Sequence, residues 1–113
     1  MRCERLDVWQ RSCRLSVEVY KSFASCKDYG FKDQITRSSL SIASNIAEGI
    51  EKASSKEKMR YIEIAKGSGA ELITQIYIGI EIGYIEKATG MSWVKELKEI
   101  LRMLASLKKN YAD

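Results

Sequence analysis

The sequence predicts an all-α protein: an up-down-up-down antiparallel four-helix bundle in a single domain covering residues 1–113. Three observations lead there. Proline is absent, so nothing in the chain carries the ring that kinks or ends a helix. Apolar residues recur at three- and four-residue steps in four separate stretches. The connections between those stretches are short, which makes consecutive helices antiparallel neighbours. A chain of 113 residues supports one core and not two.

The first helix is expected over about residues 6–24. Leu6, Trp9, Cys13, Val17, Tyr20 and Ala24 form one apolar stripe, and Val8, Leu15 and Val19 form a second beside it. The two cover an arc of roughly 200°, wider than the roughly 100° needed by a helix that packs on one side. The second helix is expected over about 32–48, with Phe31, Ile35, Ile42, Ile46 and Ile50 on one face and Gly49 as its C-terminal stop. Ser54 to Glu57 match the S-x-x-E capping box and start a third helix, expected over about 55–85. Its second half is apolar on nearly every side, which predicts burial all round. Ile76, Ile78, Ile80 and Ile82 alternate with the period of a strand. No turn signal separates them from the preceding helix and no second strand is present to pair with them, so helix is the reading. The fourth helix is expected over about 93–110, capped by Ser92, with Val94, Leu97, Leu101 and Leu104 inward.

Composition excludes several function classes. Histidine is absent, which removes the commonest general base, the commonest zinc ligand and every Ser-His or Cys-His pair. No catalytic residue, metal ligand or cofactor site is therefore assigned, and the chain is read as not an enzyme. The three cysteines, Cys3, Cys13 and Cys26, are widely spaced and include no CxxC pair; they read as idle thiols in a reducing cytoplasm. The charged N-terminal residues do not form a signal peptide. The longest uncharged run, Ser38 to Ala47, is too short and too polar to span a membrane.

The net charge of +4 is unevenly placed. Residues 1–30 carry six basic and four acidic groups and residues 91–113 carry five and three, while everything between balances. In this topology the first and last helices are neighbours, so the excess is expected on one basic edge: Arg11, Arg14, Lys21, Lys95, Lys98, Arg102 and Lys109.

Small residues recur at i, i+4 on the second helix (Ser39, Ala43, Ala47) and on the third (Ala65, Gly69). Antiparallel packing is expected to place Ser39 near Gly67 in a close backbone seam. A polar stripe of Gln34, Arg37, Ser41, Asn45, Glu48 and Lys52, with Ser44 beside it, carries no charge in its middle, so it is expected to be covered. Two readings exist for it. One is a polar pocket built from Asn45, Glu48, Ser68 and Glu71. The other, which we favour, is a hydrogen-bonded seam that fixes helix register and includes Gly67, Ser68 and Glu71. The cluster KGSG lacks the rest of a phosphate-binding loop and the strand that should precede it.

QITRSSLSIASNIAEG (34–49), IEIAKGSGAEL (62–72) and IGYI (82–85), together with LDVWQRSCRLSVEVY (6–20), resemble the small bacterial four-helix-bundle proteins encoded in intervening sequences of large-subunit ribosomal RNA genes. The likeness covers nearly the whole chain. It departs where that family has Pro after the Phe ending the first helix and this chain has Ala24, at Lys27 in place of a Glu, and at Thr36-Arg37 in place of an Arg pair. These changes weaken any binding role carried over to the first loop. The resemblance implies a homo-oligomer, with a five-membered ring as the expected form. It also links the fold to accessory proteins of diversity-generating retroelements, which bind a reverse transcriptase and nucleic acid. Apolar surface in excess of one core points the same way, with Val8, Leu15, Val19, Ile78 and Ile82 as the expected oligomer interface. The function that follows is binding of nucleic acid, RNA before DNA, through the basic edge. The alternative is a protein-binding scaffold, for example for a reverse transcriptase. No membrane partner is expected.

Overall fold

The structure is a computed structural model and describes residues 1–112. A 3-10 turn at Arg2–Arg5 leads into four helices: α1 (Asp7–Ser22), α2 (Tyr29–Ile50), α3 (Ser55–Glu81) and α4 (Lys87–Lys109). No strand occurs among the described residues. The helices run up, down, up and down in a rod of 45 × 21 × 20 Å, and α1 closes against α4. Of the alternating isoleucines, Ile76, Ile78 and Ile80 lie in α3 and Ile82 is its C-cap, with Ile76 fully buried and Ile78 on the surface, as a helix wheel and not a pleat requires.

Starts and stops follow local chemistry. Asp28 caps α2 by accepting the Phe31 N–H at 3.1 Å, and Ser54 caps α3 by accepting the Glu57 N–H at 3.1 Å. The end of α3 differs from the expected position. Gly83 has φ +82°, and the Tyr84 and Gly83 amides donate to the carbonyls of Gly79 and Ile80 at 2.8 and 3.1 Å. That is the Schellman arrangement, and it ends α3 at Glu81. α4 then starts at Lys87, so Ser92 lies inside the helix and caps nothing. Gly90 is a packing position: a Cβ there would come within 2.6 Å of Ile80. Gly49 likewise does not end α2. It lies one residue inside it, where a Cβ would fall 2.8 Å from the Tyr61 Cβ. The two helices are therefore in close contact at this end of the pair.

The core takes Leu15 and Val19 from α1, Ile35, Ile42 and Ile46 from α2, Ile62, Leu72 and Ile76 from α3, and Leu97, Ile100 and Leu104 from α4. This overturns the expected role of Val8, Leu15 and Val19. They are at most 4% exposed and belong to the chain's own core, not to an oligomer interface. The reason is two buried serines. Ser12 donates to the Val8 carbonyl at 2.7 Å, and Ser16 hydrogen-bonds Ser39 of α2 at 3.1 Å. With both satisfied, the inner face of α1 is centred on a mixed polar and apolar stripe. The purely apolar stripe containing Cys13, Val17 and Tyr20 turns outward, with Val17 51% exposed. The second half of α3 is not buried all round either, since Tyr77 and Ile78 are exposed, as is Ile82 just past its end.

Candidate nucleic-acid interface and the helix seams

The α2/α3 seam is built from short side chains. Ser41 and Ser68 share a hydrogen bond of 2.8 Å, and Ser38 donates to Glu71 at 2.8 Å. Asn45 turns back on its own helix, donating to the Ser41 carbonyl at 2.8 Å and to its hydroxyl at 2.9 Å. Ser41, Asn45, Ser68 and Glu71 are thus brought together. Ser44 and Glu48 are exposed, and Gly67 faces open space, so these three stand outside the seam. The small residues also sort differently from expectation. Ser39 packs on α1 through Ser16, not near Gly67. Gly69 faces α4, where a Cβ would lie 2.8 Å from Leu101. Ser38, which the sequence reading passed over, is the buried partner of Glu71.

The α1/α4 seam is built from charges. The Arg11 guanidinium donates to Glu96 from Nε at 2.8 Å and from Nη2 at 2.5 Å, reaches Glu99, and points Nη1 at the Met103 sulfur. One turn away, the Trp93 indole N–H donates to Glu18 at 3.2 Å. The Arg11 hydrogen bonds hold the Glu96 carboxyl below its usual range, and the same bonds raise Arg11 further above its own. Beside this lock a cleft of about 280 Å³ opens between the helices, lined by Arg14, Ser92, Trp93 and Lys95 among others.

The single basic edge therefore divides. Arg11 is committed inside the protein. Arg14 and Lys21 are exposed on α1, and Arg14 lines the cleft together with Glu18, Glu96 and Glu99. On α4, Lys95, Lys98, Arg102 and Lys109 are exposed and make no ion pair among the described residues. Helical rise spreads these four over about 21 Å. The side of α4 next to α3 is occupied by Leu101 against Gly69 and by Lys108, which pairs with Glu63 at 3.3 Å. α4 carries six basic and two acidic residues. Because Arg11 takes both acids, the outer stripe is left uncompensated.

Among the described residues there is no group of side chains able to hold a metal ion and no helix long and apolar enough to cross a membrane. The cysteines are free thiols, Cys3 buried and Cys13 and Cys26 half-buried.

No curated protein matches the chain. Among solved structures, it is similar to a crystal structure of a protein of unknown function from the S23 ribosomal protein family, from Bacteroides thetaiotaomicron. That match has 26% identity and a TM-score of 0.84, covering 90% of this chain and 98% of that one. The model of the 23S rRNA-intervening sequence proteins matches residues 4–106, nearly the whole of the bundle just described, and the chain belongs to that family.

Proposed function

We propose that this protein is a non-enzymatic, homo-oligomeric bundle that binds nucleic acid, RNA in preference to DNA, through the outer face of α4. One observation carries the reading: Lys95, Lys98, Arg102 and Lys109 lie exposed along one rigid helix with no acidic partner among the described residues. A row of cations of this kind contacts phosphates, releases counterions and reads no base. The family's description, which ties its members to an intervening sequence of 23S rRNA, makes structured RNA the first ligand to test. The five-membered assembly implied by the resemblance would present one such stripe per copy and so bind with avidity.

The test is retardation of a structured RNA across a salt series. The Lys95→Glu, Lys98→Glu, Arg102→Glu variant is expected to lose retardation at every salt concentration while keeping its helicity and its size in solution. A variant that still shifts RNA with an unchanged salt slope would overturn the assignment to α4. A wild type that binds neither RNA nor DNA at low salt would overturn the binding function itself.

A further inference from the structure

A row of cations holds a nucleic acid by its phosphates. An aromatic face beside that row adds a hold on a base. The register of α3 against α4 brings one there, and it is fixed at three levels. Glu63 pairs with Lys108 at 3.3 Å, a Cβ on Gly69 would lie 2.8 Å from Leu101, and a Cβ on Gly90 would lie 2.6 Å from Ile80. The two helices are antiparallel, so Tyr77, one turn before Ile80, comes level with Trp93 and Val94. Tyr77 also follows Glu63 by two heptads, which keeps it on the side of α3 turned toward the outer edge of α4. On α4, Lys98 lies one turn from Leu101, and Lys95 and Met91 continue that edge at helical steps.

Tyr77 is 43% exposed, and its ring has no aromatic or cationic neighbour among the described residues. The other aromatic side chains around α4 are occupied. Trp93 is buried, with its N–H on Glu18. Tyr84 bonds Asp28 at 2.9 Å and packs edge-on against Phe31. Tyr111 is half-buried, with the Lys58 ammonium 5.4 Å from its ring centre. Met91 is 39% exposed and adds an apolar side chain at the same end of the stripe. The basic stripe thus ends in an apolar step of Tyr77 and Met91. One turn beyond Tyr77, Glu81 is exposed and has no basic partner among the described residues. A phosphate chain is repelled there, so it runs from the step along α4 toward Lys109.

From this juxtaposition we infer that Tyr77 is a base-stacking residue and that the stripe takes an unpaired segment of RNA. Lys95 and Lys98 hold phosphates of that segment, and one of its bases lies on the Tyr77 ring with Met91 at its edge. A duplex keeps its bases stacked on one another and offers this face phosphates alone. Every base has a face to stack, so the site selects unpaired strand without reading sequence. The inference rests on the phosphate-binding role of α4 given above and adds to it the class of RNA and a residue outside α4.

The test is equilibrium binding of the full chain by fluorescence anisotropy. The probes are a labelled unpaired oligoribonucleotide and a blunt RNA duplex of equal length. The parent is expected to hold the unpaired strand more tightly. Tyr77→Leu puts a good helix former at an exposed position. It should weaken the unpaired strand about ten-fold, the worth of one stacked base, and leave the duplex unchanged. Its salt slope should match the parent's, because stacking releases no counterion. Tyr77→Phe keeps the ring and should bind as the parent does, with circular dichroism checking the fold of both. Tighter binding of the duplex, an equal loss of both probes in Tyr77→Leu, or equal losses in Tyr77→Phe and Tyr77→Leu would overturn the stacking role. The Lys95→Glu, Lys98→Glu, Arg102→Glu variant separates the two readings. If it loses both probes while Tyr77→Leu loses neither, the phosphate stripe stands and the stacking inference fails. If the parent binds neither probe, both fail.

Discussion

The two polar seams of this bundle solve one problem in opposite ways. Between α2 and α3, neutral hydroxyls meet one another and one carboxylate: Ser41 with Ser68, Ser38 with Glu71. The backbones come close enough at Gly49 that no Cβ fits. Between α1 and α4, one guanidinium bridges two carboxylates, an indole N–H takes a third, and a cleft stays open beside them. Short side chains allow contact between helices, and long charged ones hold them apart. The first seam should therefore respond to volume and ignore salt, and the second should do the reverse.

Volume gives the largest expected effect. In Gly49→Ala the new methyl would lie 2.8 Å from the Tyr61 Cβ, an atom fixed to the α3 backbone, so one helix must move. A loss of about 1–3 kcal/mol in urea unfolding is expected. A Gly49→Ala protein as stable as the parent would show that the α2/α3 approach is not tight.

Charge comes next. In Arg11→Met the aliphatic contact is kept while Glu96 and Glu99 lose their counter-ion. The seam is partly exposed, so the expected loss near neutral pH is about 1–2 kcal/mol. Its pH dependence identifies it. The Glu96 carboxyl is held below its ordinary value of 4.5 by Arg11. A depressed carboxylate contributes its stability above the unfolded value and loses it as pH falls through the folded one. The gap between parent and Arg11→Met should thus be full at neutral pH and shrink on acidification below about pH 4.5. A gap constant from neutral pH to pH 3 would remove the ion lock from the account.

The same contrast explains how much of the molecule was legible in the sequence. Four helices, their order and the Ser54 cap followed from periodicity and one capping motif. The errors fell where a residue type has two uses. Gly49 read as a stop and is a contact; the stop expected near residue 85 is made earlier, by Gly83. Ser92 read as an N-cap, whereas it lies inside α4, which starts at Lys87. On α1 only apolar residues were counted toward the inner face, which also holds the buried Ser12 and Ser16. Val8, Leu15 and Val19 were then placed on an outer surface, whereas they are buried and Val17 is exposed. For the basic edge, the spacing of charges along each helix was visible, but the pairing of Arg11 with Glu96 and Glu99, 85 and 88 residues away, was not. That pairing removes Arg11 from any ligand and, by covering both acids of α4, leaves the remaining stripe more strongly basic.

The smallest expected effect separates the seam from its most conspicuous residue. Asn45 sits at the centre of the uncharged run, yet both of its hydrogen bonds return to Ser41 on its own helix. Removing it leaves the Ser41–Ser68 bond across the seam intact and puts the best helix former in its place. Asn45→Ala should therefore change stability by less than about 0.5 kcal/mol, because a lost intrahelical bond and a gained propensity nearly offset. Ser68→Ala removes the bond that crosses between helices and leaves Ser41 bonded only to Asn45. It should cost more than Asn45→Ala, by up to about 1 kcal/mol in parallel urea titrations. The order of the two variants decides the point. If Asn45→Ala is the more damaging, the asparagine anchors α3 directly and the seam is not the hydroxyl contact described here.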